Sequence, residues 1–211
     1  MRAQAKKPRI SFAWLPLAVL SLGLTAQAQI PKTPDSSYVA PADQALLIFD
    51  RPRHRQASET GIRVVTPAGK CIALLENDWQ MAAAIWPGKQ MLMLVTGMSP
   101  PVVQLLEVNL SAGKTYVVRL RPRVNVKSPV EIEVLRREDQ PLEAFPAAVR
   151  EQLPAQPNLR QCTEWVSWKR SKIGSRAGEA KRSWDEADKE FRDRNTVHRN
   201  DGWTANEVRE P

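Results

Sequence analysis

The sequence predicts a mainly β domain, a sandwich of two antiparallel sheets, carrying a helical C-terminal extension. Three observations point there. Between Gln44 and Leu135 the chain is a series of short apolar runs separated by residues that supply turn geometry. Within several runs the apolar residues alternate with polar ones, the period of a strand with one buried face. Beyond Arg136 the spacing of apolar residues changes to three and four, the period of a helix.

The first strand is expected at Gln44–Asp50, ended by Arg51-Pro52, because proline bars a central strand position. Gly61–Thr66 and Lys70–Leu75 follow, joined by a turn at Pro67-Ala68-Gly69. Asn77-Asp78 breaks the chain before Gln80–Trp86. There Met81, Ala83 and Ile85 alternate with Ala82, Ala84 and Trp86, so both faces are apolar and the strand is expected to be central. The tight turn Trp86-Pro87-Gly88-Lys89 predicts a hairpin with Lys89–Thr96. Val102–Leu110 comes next, then a turn at Ser111-Ala112-Gly113-Lys114. In the strand after it Tyr116, Val118 and Leu120 face inward, while Arg119, Arg121 and Arg123 form a ladder of charge on the other face. Pro129–Leu135 closes the series, with Glu131 and Glu133 able to pair with that ladder if the two strands are neighbours. The total is seven or eight strands.

Several of these motifs carry a resemblance. The apolar first strand ending in Arg51-Pro52, the turn Pro87-Gly88-Lys89 and the segment Ala112-Gly113-Lys114-Thr115-Tyr116 resemble a bacterial family of small exported, lipoprotein-like β-sandwich domains of unknown function. The likeness covers about residues 41–124. It implies an immunoglobulin-like or transthyretin-like sandwich in the cell envelope, with no activity to carry over. Unlike lipoprotein members, this chain has no cysteine to lipidate near its N-terminus, and it has a long C-terminal extension.

Residues 139–195 are read as that extension. Pro141–Leu153 offers a short helix with Pro146 in its first turn, where a missing amide is tolerated. From Leu159 a second helical pattern runs through Cys162, Trp165, Val166 and Ile173. After Gly174-Ser175, Ala177, Ala180, Trp184, Ala187 and Phe191 make a stripe on a helix expected to reach Asn195. Asp185 before Lys189 and Asp188 before Arg192 have the i,i+4 order that supports a helix. The stripe, with Trp165, is either core packed on the sandwich or a docking face for a partner helix. Residues 196–211, with little apolar content, are expected to be mobile.

The N-terminus reads as an export signal. Met1–Arg9 carries Arg2, Lys6, Lys7 and Arg9 and no acid; Phe12–Leu24 is an apolar run; Ala26-Gln27-Ala28 places small residues where a signal peptidase cuts. The run is about 13 residues, short of the about 20 needed to span a hydrocarbon core. A cleaved signal over 1–28 and an extended leader over 29–40 are therefore expected, with a periplasmic or secreted mature chain; an uncleaved segment that holds the domain at a membrane is the alternative. The formal charge of +8 shrinks accordingly: without those four residues, 27 basic side chains face 23 acidic ones. That balance is too mild and too evenly spread for a nucleic-acid partner. In an oxidising compartment Cys71 and Cys162, the chain's two cysteines, are expected to be joined.

Candidate sites are sparse. Arg51, Arg53 and Arg55, with His54, fall on a polar loop. With Arg119, Arg121 and Arg123 they are the candidates for contact with an anion, as guanidinium forks suit carboxylate and phosphate. No metal site is expected, because His54 and His198 are far apart with no ligand spacing around either. No nucleophile elbow, phosphate loop or Cys-x-x-Cys motif is present, so neither catalytic residues nor a cofactor are assigned. The sequence is therefore read as a non-enzymatic exported module that binds or supports another envelope protein, with the helical extension as docking or self-association element. A binding module for an anionic surface is the alternative, and a hydrolase with an unrecognised site a third reading.

Overall fold

The computed structural model describes residues 38–53, 61–97, 100–123, 130–141, 144–152 and 154–209. The expected signal segment, most of the leader, and Arg55 with His54 lie outside them. Eight strands appear close to where the pattern places them: β1 (Ala45–Arg51), β2 (Ile62–Val65), β3 (Cys71–Leu75), β4 (Trp79–Ile85), β5 (Gly88–Thr96), β6 (Val102–Leu110), β7 (Lys114–Pro122) and β8 (Val130–Leu135). The helices are α1 (Ala147–Arg150), α2 (Leu159–Trp168), α3 (Arg170–Glu186) and α4 (Lys189–Arg194). They are followed by β9 (Thr196–Val197), β10 (Trp203–Thr204) and α5 (Ala205–Arg209).

The strands form two sheets. In the first, β4, β1 and β7 lie side by side, and both β10 and β8 pair along the far side of β7; the second runs β3-β2-β5-β6-β9. Both are mixed rather than purely antiparallel, since β1 runs parallel to β7 and β6 parallel to β9. The sheets face each other across one apolar cluster that takes alternate residues from each, among them Leu47, Phe49, Ile62, Leu75, Met81, Leu92, Leu106 and Tyr116. Each side chain of that size removed from water contributes about 1.5–3 kcal/mol.

The turn at Pro87-Gly88 does not make a hairpin. β4 belongs to the first sheet and β5 to the second, so the turn, with Gly88 at φ 112°, carries the chain from one layer to the other. The Ala112-Gly113 turn does the same between β6 and β7. There Gly113 (φ 70°) donates its N–H to Gln44 O at 2.8 Å, and Ser111 N–H donates to Tyr116 Oη at 2.8 Å. The Ala-Gly-Lys-Thr-Tyr segment is thus a corner locked by its own tyrosine. β4, expected to be central, is an edge strand. Its second apolar face is the small pair Ala82 and Ala84, a pattern that composition alone cannot distinguish from burial on both sides.

Outer layers explain why β1 and β5 read as nearly continuous apolar runs. On the first sheet, Ile48, Val117 and Leu135 are covered by Tyr38, Phe145, Val149, Trp203 and Val208. On the second, Val65, Val95, Val103 and Leu105 are covered by Val166, Ile173 and Trp184 of α2 and α3. Cys71 of β3 and Cys162 of α2 are joined, which fixes the helical layer to the sheet edge, and Cys71 N–H donates to Thr163 Oγ1 at 3.2 Å.

Three helical expectations change. α3 runs straight through Gly174 and Ser175, which tertiary packing of the stripe permits at a cost of about 1 kcal/mol for the glycine. The helix then stops at Glu186 rather than reaching Asn195. Ala187 is extended (ψ 149°), and Asp188 caps α4 by accepting from Phe191 N–H at 2.6 Å. The expected i,i+4 pairs from Asp185 and Asp188 therefore do not form on one helix; Lys181–Asp185 at 2.5 Å takes the place of the first.

The largest departure is the tail. Residues 196–209, expected to be mobile, add β9 to one sheet and β10 to the other, and Val197 and Trp203 are fully buried. Arg136 holds this segment through Asp201 (3.2 Å), while Asp201 Oδ2 accepts from His198 N–H at 2.7 Å. A Cβ at Gly202 would lie 2.6 Å from the Tyr116 ring, itself buried. Gly202→Ala is expected to lower stability by about 1–3 kcal/mol, the range for overpacking a tight interior. Urea unfolding checks it; a midpoint unchanged from wild type would show that the ring can move aside.

Candidate functional site

The outer face of the first sheet changes character along its strands. One row across it is apolar: Ala82 of β4, Ile48 of β1, Val117 of β7 and Leu135 of β8. It is closed over by the Trp203 and Phe145 layer. Two residues further along, the row is polar: Gln80, Asp50, Arg119 and Glu133 are neighbours on the same four strands. At Gln80 the row is still covered, but Asp50 and Arg119 open into a cleft of about 470 Å³, lined also by Pro52, Arg53, Arg121, Ala148 and Gln152.

Its charges are organised by the β7–β8 register. Arg119 Nε donates to Asp50 Oδ2 at 2.7 Å and lies 3.6 Å from Glu133 through Nη1. Arg121 Nη1 is 2.5 Å from Glu133 Oε2, and Arg123 approaches Glu131 at 3.3 Å. The ladder is thus matched by the two glutamates anticipated for it, plus Asp50. Among the described residues around the cleft, three guanidinium groups (Arg53, Arg119, Arg121) face two carboxylates (Asp50, Glu133), a surplus of one positive charge. Exposed Arg53 supplies it at the rim. Pairing also stiffens Arg119 and Arg121, so less rotamer entropy is lost when they meet a ligand.

The floor beside the cleft is held by a buried polar knot. Gln80 Nε2 donates to Tyr38 Oη at 2.6 Å and to Val149 O at 3.1 Å, and Tyr38 Oη donates to Gln152 O. Thr115 Oγ1 donates to Tyr38 O at 2.6 Å, which ties the end of the expected leader into the domain. Burial pushes the Tyr38 hydroxyl up to about 12, so it stays a neutral donor.

The six arginine candidates separate. Arg53, Arg119 and Arg121 line the cleft. Arg123 continues the ladder beyond it, half-exposed and paired with Glu131. Arg51 is fully buried and donates to Leu75 O at 2.9 Å, so its guanidinium is a structural tie between the sheets rather than an anion contact; burial lowers its pKa. The helical stripe is placed against the second sheet: Trp184 is buried, Trp165, Ala177, Ala180 and Phe191 pack on the same cluster, and Ala187 falls in the break after α3. Trp165 is also stacked under Arg63 at 4.0 Å. The face offered for a partner helix is therefore occupied by the chain's own sheet.

Asp50, Gln152 and Gln80 were not among the sequence candidates. One signal was available for the first, as Asp50 is the lone acid of a strand that opens with five apolar residues. Gln152 carried none, since nothing local says that the turn after α1 returns to β1. Among the described residues no cluster of three or more His, Cys, Asp or Glu side chains could hold a metal ion, and no helix is long and apolar enough to cross a membrane. A scan against protein-family models and a search of curated proteins find no match for this chain.

Proposed function

We propose that this chain is a non-catalytic exported module of the bacterial envelope that binds a singly charged anionic group, a carboxylate or phosphodiester, in the arginine-lined cleft. In this reading the two facing sheets are an immunoglobulin-like or transthyretin-like sandwich with helices added on both outer faces, as the resemblance over residues 41–124 implies. The observation that carries it is convergence: Arg53 after β1, and Arg119 and Arg121 on β7, are brought to one cleft with one positive charge to spare. Bidentate guanidinium contacts to an oxyanion are among the stronger polar interactions open to a surface site. The acid in the lining, Asp50, and Glu133 beside the cleft are both engaged by arginine, which favours the non-catalytic reading.

The disulfide between Cys71 and Cys162 supports an oxidising compartment for this role. The test is cosedimentation with anionic vesicles and, separately, with cell-wall polymer, backed by titration with acetate and dimethyl phosphate. Binding is expected to fall as salt is raised and to weaken about tenfold in Arg53→Ala, roughly the 1.4 kcal/mol of one exposed charge contact. Binding that ignores both salt and Arg53→Ala would remove the cleft from consideration.

A further inference from the structure

Among the described residues β4 is the edge of the first sheet, with β1 as its one ladder partner. Edge strands ordinarily carry lysine, proline or a bulge that discourages further pairing. Here the strand is Trp-Gln-Met-Ala-Ala-Ala-Ile, without a charge or a proline. Gln80 O points away from β1, since it accepts from Ala155 N–H at 2.7 Å where the linker between α1 and α2 crosses the edge. Along a strand alternate residues direct their N–H and C=O to the same side, so Ala82 and Ala84 point outward as well. Among the described residues neither makes a backbone hydrogen bond on that side. Ala84 is exposed, and Trp86, just past the strand, is 65% exposed.

We infer that this edge pairs with β4 of a second copy of the chain, antiparallel about a two-fold axis at Ala83. The open window is symmetric about that residue. On one side it is closed at Gln80 by Ala155; on the other it ends at Trp86, where Pro87-Gly88 turns the chain into the second sheet. Ala82 then stands opposite Ala84 of the second copy, two outward-directed residues forming a hydrogen-bonded pair, and the axis repeats the pair. Each strand stops where the other's edge becomes covered. Small neutral side chains at both positions bring neither steric conflict nor like charges into register. Trp86 of each copy falls beside the Pro154–Pro157 linker of the other, an apolar contact at either end. The pairing joins the two first sheets into one continuous sheet, and it leaves the arginine cleft outside the contact.

A contact this short buries less than a standard interface of about 1,600 Å², so reversible, concentration-dependent association is expected. Sedimentation of the purified chain from about 10 μM to 1 mM should show a monomer–dimer equilibrium, with slowed exchange of the Ala82 and Ala84 amides at the upper end. Ala84→Lys, which guards the edge with charge, should weaken association at least about tenfold. Its melting temperature should be unchanged, because the position is exposed. Arg53→Ala should leave association intact, separating this contact from the cleft. A wild-type chain that stays monomeric, with both amides exchanging freely at 1 mM, overturns the inference. So does a dimer that survives Ala84→Lys, or capture of an extended peptide at this edge without self-association.

Discussion

Replacing Cys71 and Cys162 together by alanine is expected to lower the unfolding free energy by about 2–5 kcal/mol. The bond spans 91 residues of chain, and closing a loop of that length in the unfolded state is worth about 4–5 kcal/mol in the chain-entropy account. Its position adds a local consequence. It holds α2 against the edge strand β3, and the helical layer covers Val65, Val95, Val103 and Leu105. Loss of the bond should therefore loosen α2 and α3 first, seen as faster hydrogen exchange there than in β1 or β7. Denaturant unfolding with and without reductant measures the first effect and exchange mapping the second. A midpoint that does not move on reduction would mean that packing alone holds the helices.

Trp203→Ala should cost a comparable amount, about 3–5 kcal/mol, the range for truncating a buried tryptophan. Trp203 is completely buried, sits edge-on to Phe145 at 5.4 Å, and shares a cluster with Ile48, Val117, Leu135, Val149 and Val208. It also forms the short ladder in which Trp203 lies opposite Thr115 of β7. Against a total stability of about 5–15 kcal/mol such a loss is a large fraction, and a protease should then trim the chain beyond Val197. Trp86→Ala supplies the control, since that side chain is largely in solvent and should cost little as a monomer. A loss under about 1 kcal/mol at Trp203 would mean that the tail is dispensable to the core.

The strands were legible because their signals are local. An apolar run of five to nine residues bounded by Pro, Gly, Asn or Asp is decided by dihedral preferences and by the two-residue period, and β1 to β8 were found within a residue or two. The pairing of Glu131 and Glu133 with the arginine ladder was legible for the same reason, as β7 and β8 are adjacent hairpin partners. Pro87-Gly88 was misread as a hairpin because a tight turn specifies a reversal of direction, not whether the returning strand lies beside its predecessor or across the core from it. β4 was misplaced because alanine suits a covered face and an open edge alike.

The cleft was only half visible. The spacing of its arginines is a local signal, yet the burial of Arg51 and the arrival of Gln152 depend on contacts between segments distant in sequence. Trp203, Val197 and Val208 carry no local signal of burial, because three large apolar residues among sixteen look like a solvated tail. Burial is conferred there by a waiting surface: the uncovered Ile48–Val117 row and the unpaired side of β7. By itself, then, the amino-acid order settled which stretches extend, which coil and where the chain turns, since those follow from neighbouring residues. Sheet membership, the parallel pairings, the covered tail and the convergence of Arg53 with Arg119 and Arg121 were decided only in three dimensions, where apolar faces and hydrogen-bonding edges find partners that no local pattern names.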